Sequence, residues 1–194
     1  MSLTEQMTLL ARQAKAASRE LGKLTTAGKN SCLLAMADAL EQNAGAIQQA
    51  NERDLTTGAA AGLSAAMLDR LKLDEKRIAG MAKGLREVAA LPDPVGRLLD
   101  ERVRPNGLRL RKVATPFGVI VIIYESRPNV TADAASLCFK SGNATILRGG
   151  KEALPSNLAI AAAMREGLEA AGLPPSAMTV VDDPDRAIVT AMCK

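Results

Sequence analysis

Short apolar runs alternate with longer helical patterns through residues 116–194. Residues 117–124 read FGVIVIIY, a β-branched run that is too short for a helix and typical of a parallel strand buried on both faces. The pattern predicts three strands, at residues 117–124, 144–147 and 178–181, and three helices, at residues 130–140, 156–171 and from Asp183-Pro184. This βαβαβα order predicts an α/β fold that contains part of a doubly wound, Rossmann-like parallel sheet.

Residues 1–97 are predicted to form a helical block ahead of this sheet. Apolar side chains recur every three or four positions along residues 7–21 and 33–47, which predicts two amphipathic helices. A shorter helix is predicted at residues 62–71, and another begins at Asp74, a residue type suited to capping a helix.

A β-hairpin is predicted at residues 98–115, after the helix-breaking segment Pro92-Asp93-Pro94. Its turn is indicated by Asn106-Gly107, which stands between two alternating runs. Four arginines flank the turn: Arg102, Arg104, Arg109 and Arg111. They fit either a patch for phosphate or nucleic acid or the solvated face of an exposed hairpin, and the second interpretation is favoured.

The composition excludes several classes of function. The chain has no histidine, so imidazole catalysis and Ser-His or Cys-His activation cannot arise within it. Its three cysteines, Cys32, Cys138 and Cys193, are far apart and form no CxxC pair, so neither a disulfide framework nor a metal site is expected. With no Trp, one Tyr and a dispersed net charge of +4, no nucleic-acid partner is expected.

Nothing in the sequence indicates export or a membrane anchor. The N-terminal residues lack the apolar run of a signal peptide, and no stretch approaches the roughly 18 apolar residues of a membrane span. We therefore expect a cytoplasmic protein with no membrane partner.

The loop after the first predicted strand combines polar groups at a helix start. Parallel strands bring their carboxyl ends to one edge of a sheet, where ligands bind. Arg127 offers a forked donor there for phosphate or carboxylate. The alternative is structural: Asn129 caps the helix, and Arg127 pairs with Glu125 or Asp133.

The loop after the second predicted strand places two cations beside two glycines. Arg148 and Lys151 flank Gly149-Gly150, where backbone can approach a ligand closely. The loop matches neither GxGxxG nor GxxxxGK[ST], so a flexible turn explains the glycines equally well.

A family resemblance covers nearly the whole chain. Residues 116–152, PFGVIVIIYESRPNVTADAASLCFKSGNATILRGGKE, are similar to the corresponding stretch of the γ-glutamyl phosphate reductases, within the aldehyde dehydrogenase superfamily. The segments GLSAAMLDRL, LPDPVG and DDPDRA resemble that family in the same order. YESRPNV and LRGGKE are distinctive within the superfamily.

The resemblance implies an activity and roles for the two loops. Such enzymes reduce γ-glutamyl phosphate with NADPH to glutamate 5-semialdehyde and phosphate in proline biosynthesis, through a cysteine thiolate. The cofactor-binding residues implied are Tyr124, Glu125, Arg148, Gly149 and Lys151, with the two cations beside a 2′-phosphate. Asn129 is implied to orient the carbonyl oxygen as an oxyanion donor, and Arg127 to contact an anionic group of the substrate.

The chain departs from the resembled family in length, because those enzymes are roughly twice as long. We expect residues 1–97 and 116–194 to be parts of the nucleotide-binding domain, with the catalytic domain and its cysteine absent. Cys32 and Cys138 are expected to be core thiols, and the 194-residue chain to be inactive alone and to form a homo-oligomer. A stand-alone nucleotide-binding or interaction module, or an aldehyde dehydrogenase with another acyl substrate, are the alternatives.

Overall fold

The protein is described by a computed structural model that covers residues 2–185 and 187–192. The helices in this part of the chain are α1 (Leu3–Leu21), α2 (Thr26–Gln42), α3 (Ala44–Ala60), α4 (Ala65–Leu71), α5 (Glu75–Ala90), α6 (Asn129–Lys140), α7 (Leu154–Ala170) and α8 (Ala187–Met192). The strands are β1 (Leu98–Val103), β2 (Arg109–Val113), β3 (Val119–Ile123), β4 (Ala144–Arg148) and β5 (Met178–Val180). None of the helices described is long and apolar enough to cross a membrane.

The helical block holds one more helix than the sequence predicts. The apolar pattern of residues 33–47 was predicted to be one helix, but α2 ends at Gln42 and α3 begins at Ala44. Asn43 lies between them, and its side chain donates to Ala39 O and to Glu166. The apolar spacing continues through the break because both helices pack against α7. The predicted cap at Asp74 is confirmed, since its carboxylate accepts from Arg77 N.

The predicted hairpin is confirmed. Strands β1 and β2 pair antiparallel, with Gly107 at φ 82° in the turn, a conformation that favours glycine. Arg109 and Arg111 form exposed ion pairs with Glu101, and Arg102 pairs with Asp100. The arginines thus lie on a solvated hairpin, which agrees with the favoured interpretation.

The predicted parallel sheet is confirmed in the order β3-β4-β5. The prediction that residues 117–124 form a strand buried on both faces is wrong. Strand β3 lies at an edge, where Val121 and Ile123 are exposed, and Phe117 precedes it in solvent with 88% of its surface accessible. The strand with buried residues along almost its whole length is β4, because it lies between the other two. An apolar run alone cannot distinguish these two positions.

Helices cover the sheet in layers around one core. The crossover helices α6 and α7 pack against each other and on the sheet, while α1 contacts β3, β4 and α8. Helices α2, α3 and α5 form a further layer over α6 and α7. The last predicted helix was expected to begin at Asp183-Pro184, but α8 begins at Ala187. Asp183 Oδ1 accepts from Asp185 N at 2.8 Å, and Asp185 Oδ1 accepts from Ala187 N, the first residue of the helix, at 2.9 Å.

Helices α2 and α7 cross so closely at Gly167 that one added methyl group there is expected to destabilise the protein. A Cβ added at Gly167 would lie 2.6 Å from Met36 N and 2.7 Å from Met36 Cα, which are backbone atoms of α2. We expect Gly167→Ala to lower the free energy of unfolding by about 1–3 kcal/mol, measured by urea denaturation. The matched change Gly80→Ala is expected to raise it by up to about 1 kcal/mol, because a Cβ there meets nothing within 4 Å. If Gly167→Ala left the free energy of unfolding unchanged, that result would contradict the close crossing.

Candidate functional site

The loops after β3, β4 and β5 meet at the carboxyl edge of the sheet, as predicted. We call residues 125–129, 148–152 and 182–185 the first, second and third loops. The ladder continues into them, since Tyr124 N donates to Arg148 O at 3.0 Å and Val181 N donates to Leu147 O at 2.9 Å. The predicted site residues of the first two loops therefore lie at one edge.

A polar chain behind the first two loops joins the end of β3 to α6 and α7. The Tyr124 hydroxyl is 2.6 Å from Thr131 Oγ1, which donates to Asn157 Oδ1 at 3.0 Å. A Cβ at Gly149 would lie 2.2 Å from Asn157 Nδ2 and 3.0 Å from Tyr124 Cε2. Glycine is therefore required at this position by packing within the protein. Burial raises the pKa of Tyr124, while the bond to Thr131 lowers it.

Arg148 and Lys151 differ in how they are held. The Arg148 guanidinium donates to Gly149 O at 2.9 Å and to Pro184 O at 2.8 Å, which ties the second loop to the third. Its Nε is buried without a partner among the described residues, as is Asn157 Nδ2. Lys151 is exposed, and its side chain has no hydrogen bond or ion pair in residues 2–185 and 187–192. Lys151 is therefore the free cation of this loop.

The structural alternative for the first loop is not supported. Asn129 is the first residue of α6 and does not cap it; its Nδ2 donates instead to Asp133 Oδ2 at 2.9 Å. Arg127 bonds Glu125 only through its backbone N–H, and its side chain has no ion-pair partner in the part of the chain described. Arg127 is thus free to contact a ligand, whereas one donor of Asn129 is already used.

A polar cavity of about 490 Å³ lies beside the first loop, between α4, α5 and the start of α6. Its lining includes Arg70, Arg77, Gly80, Arg127, Asn129 and Asp133. Arg70 and Arg127 also line a smaller cavity of about 130 Å³ with Glu125. Sequence reasoning missed Arg70, although it stands in the GLSAAMLDRL segment, because no pattern places α4 beside the first loop.

A second network missed from the sequence holds the start of α7. Asp54 accepts from Ser156 N at 2.9 Å and from its hydroxyl, and Asn51 donates to Leu71 O and Ser156 Oγ. Burial raises the pKa of Asp54, while the two bonds from Ser156 lower it. The backbone N–H and the hydroxyl of Ser156 at this helix start are therefore already bonded within the protein.

The two cysteines described are core thiols, as predicted. Burial raises the pKa of Cys32 to about 12, and its Sγ lies 3.7 Å from Gly167 O. Cys138 is also buried, which raises its pKa, while a bond with Thr145 lowers it. Cys193 lies outside the described residues. No group of three or more Cys, Asp or Glu side chains within the described ranges is arranged to hold a metal ion.

The comparison with known families agrees with this geometry. The model of the aldehyde dehydrogenase family matches residues 2–194. The chain belongs to the aldehyde dehydrogenase family. The prediction made from the YESRPNV and LRGGKE segments is thereby confirmed at the level of the family, as is the α/β fold that it implied.

Several relatives of this aldehyde dehydrogenase chain are γ-glutamyl phosphate reductases. It is 54% identical over 194 residues to the one from Geotalea daltonii, covering all of this chain and 46% of that protein. The crystal structure from Thermotoga maritima matches 96% of this chain and 45% of its own, at 40% identity and a TM-score of 0.94. The crystal structure from Saccharomyces cerevisiae matches 97% of this chain and 48% of its own, at 34% identity and a TM-score of 0.87. The chain spans about half the length of these relatives.

Proposed function

We propose that this chain forms the cofactor-binding side of an NADPH-dependent γ-glutamyl phosphate reductase. The reaction converts γ-glutamyl phosphate to glutamate 5-semialdehyde and phosphate in proline biosynthesis, in the cytoplasm. The observation that carries the proposal is the 54% identity to such a reductase, which extends over every residue of the chain. Aldehyde dehydrogenases use nicotinamide cofactors, which agrees with a site at the carboxyl edge of the sheet.

The second loop has the features that a nucleotide phosphate needs. Lys151 presents a free ammonium group to solvent, and Gly149 and Gly150 bring no side chains to the edge. Two buried donors without acceptors, Arg148 Nε and Asn157 Nδ2, lie at this loop, and such atoms often indicate a polar partner still to be bound. In this proposal Lys151 holds the 2′-phosphate, and Arg148 fixes the shape of the loop.

The remaining chemistry divides between the bound cofactor and the first loop. NADPH supplies the hydride that reduces a thioester formed when a thiolate displaces phosphate from the acyl carbon. Arg127 attracts the anionic substrate, and the amide hydrogen of Asn129 not used by Asp133 is available for the acyl oxygen. The thiolate comes from a residue other than Cys32 and Cys138, because both thiols are buried.

The proposed 2′-phosphate contact predicts a change in cofactor preference. We expect Lys151→Ala to weaken NADPH binding by about ten- to a hundredfold, the equivalent of one charge-assisted hydrogen bond, and NADH binding much less. Fluorescence titration of the purified protein with both cofactors measures this. Arg148→Ala is expected to weaken both cofactors, because it also releases the contacts to Gly149 O and Pro184 O.

Glu152 provides a control of opposite sign in the same loop. Its carboxylate lies over Gly150, where an added Cβ would be 2.2 Å from Glu152 Oε1. Glu152→Gln removes a negative charge near the proposed phosphate and should strengthen NADPH binding. Equal weakening of NADPH and NADH by Lys151→Ala would eliminate the specificity role, and no binding of either cofactor would contradict the proposed function.

We further propose that the chain self-associates. The hairpin exposes Val103 and Leu108, with 63% and 55% of their surfaces accessible, and β3 pairs on one side only within the described residues. Exposed apolar groups and an unpaired strand edge favour association. Light scattering at high concentration is expected to show a dimer or larger species, and Val103→Lys to shift it toward monomer. A monomeric, folded wild-type chain would contradict this.

A further inference from the structure

We propose that the 490 Å³ cavity beside the first loop binds the amino-acid end of the substrate. Arg70 and Arg127 hold its α-carboxylate, and Asp133 holds its α-ammonium group. This inference rests on the proposed function, because it names the part of γ-glutamyl phosphate that the cavity recognises. Its size falls in the range of small-molecule sites.

Two cations of the cavity are free to bind an anion. Arg70 and Arg127 line both this cavity and the adjoining 130 Å³ cavity, so their side chains share one wall. Neither guanidinium has a hydrogen bond or an ion pair to another residue between 2 and 185 or between 187 and 192. A guanidinium is a forked donor that matches the two oxygens of a carboxylate.

The third arginine of the cavity has no such freedom. Arg77 donates to Lys72 O at 2.8 Å and pairs with Asp69 Oδ1 at 2.9 Å, so it closes the turn between α4 and α5. The charge of Asp69 is balanced by the same contact. Lys72 also lines the cavity, and it pairs with Asp74 at 3.9 Å. Among the described lining residues, the charges without an ion-pair partner are therefore those of Arg70, Arg127 and Asp133.

Asp133 adds a negative charge that a simple anion site would not have. Its Oδ2 accepts from Asn129, and its Oδ1 has no hydrogen bond in the part of the chain described. Desolvation raises the pKa of this carboxyl, although the bond from Asn129 lowers it. A nearby cation would offset that desolvation, whereas a phosphate would be repelled. Two free cations and one carboxylate together complement an α-amino acid.

Gly80 supports this interpretation from the opposite wall. It lies in the interior of α5, where alanine would favour the helix more than glycine does. It lines the cavity, and an added Cβ there would meet nothing within 4 Å. The missing side chain thus leaves space that no other described residue fills within 4 Å of the Cβ position.

The proposal is tested by NMR titration of the 194-residue protein with L-glutamate, whose γ-carboxylate stands in for the acyl phosphate. The comparison ligands are glutarate, which lacks the α-ammonium, 4-aminobutyrate, which lacks the α-carboxylate, and inorganic phosphate. We expect L-glutamate to bind most tightly and to shift the backbone amides of Gly80, Asn129 and Asp133. Glutarate and 4-aminobutyrate should each bind about tenfold more weakly, since each lacks one charged contact.

Single substitutions separate the two halves of the recognition. Arg70→Gln and Arg127→Gln should each weaken L-glutamate about tenfold or more, and neither should affect 4-aminobutyrate comparably. Asp133→Asn should weaken L-glutamate similarly and leave glutarate unchanged or stronger. Arg53→Gln, which removes an exposed arginine on α3 that does not line this cavity, is the matched control and should change nothing. Gly80→Leu should abolish binding while the thermal midpoint is maintained.

The outcomes distinguish this inference from the proposed function. L-glutamate that fails to bind, or that binds equally well to the Arg70, Arg127 and Asp133 variants, overturns the inference even if NADPH binds at the second loop. Phosphate that shifts the same amides and displaces L-glutamate equally well would make this a phosphate site and overturn it too. Loss of NADPH binding with selective L-glutamate binding intact would instead overturn the proposed cofactor role.

Discussion

Replacing Asp93 with Asn is expected to lower the free energy of unfolding by about 3–5 kcal/mol, because it removes the counter-ion of a buried lysine. Lys29 has 2% of its side chain exposed and donates to both carboxylate oxygens of Asp93, at 3.0 and 2.9 Å. Lys140 is also buried nearby, and its acceptors among the described residues, Asn30 Oδ1 and Ala89 O, are neutral. Urea denaturation of both proteins measures the loss.

Two controls test whether the unpaired charge is the cause. Lys29→Met in the Asp93→Asn background removes the charge as well, so the double variant should recover much of the loss. Asp69→Asn removes a carboxylate from an exposed ion pair with Arg77 and should cost at most about 1 kcal/mol. A loss from Asp93→Asn no larger than that from Asp69→Asn would contradict the assignment.

The same site predicts a pH dependence. Desolvation raises the pKa of Asp93, but the bonds from Lys29, Val95 N and Thr26 outweigh it, and the pKa lies below its ordinary value. A depressed pKa in the folded state contributes stability above the unfolded value, near pH 4, which is lost as the pH falls through the folded pKa. The difference in stability between wild type and Asp93→Asn should therefore shrink in that acidic range.

The sequence predicted the elements well, because local patterns specify them. The β-branched runs, the Asn-Gly turn and the cap at Asp74 are determined by neighbours in the chain, and each was found where predicted. The break at Asn43 and the edge position of β3 depend on contacts with distant elements. Asn43 bonds Glu166 on α7, and β3 is exposed because it pairs with β4 alone among the described strands.

The candidate site was predictable only where the chain topology determines it. Parallel strands bring the loops of Tyr124 and Arg148 to one edge, and the predicted residues of these loops do lie there. Which side chains are free could not be predicted, because it depends on partners distant in sequence. Arg148 bonds Pro184 O, whereas Arg127 has no side-chain partner within the described ranges. Arg70 lies on α4, and the pattern of strands in the sequence does not predict that this helix lies beside the first loop.

The last prediction is that these 194 residues alone do not reduce γ-glutamyl phosphate, although NADPH and L-glutamate bind. Covalent catalysis needs a thiolate held against the acyl carbon, and a misplacement of about 1 Å already costs about a hundredfold. Cys32 has 1% of its surface exposed, and burial raises its pKa to about 12, which disfavours the reactive thiolate near pH 7. Cys138 is buried with a raised pKa as well.

The measurement is NADPH oxidation with the acyl phosphate, together with the reverse reaction from glutamate semialdehyde and phosphate. A full-length reductase such as the Thermotoga maritima relative serves as the positive control for the assay. Cys32, Cys138 and Cys193 are each changed to Ser, and circular dichroism verifies that each variant is folded. We expect turnover at background in all four proteins. Turnover in the wild type that a single Ser substitution abolishes would contradict the prediction, because it would identify that cysteine as the nucleophile.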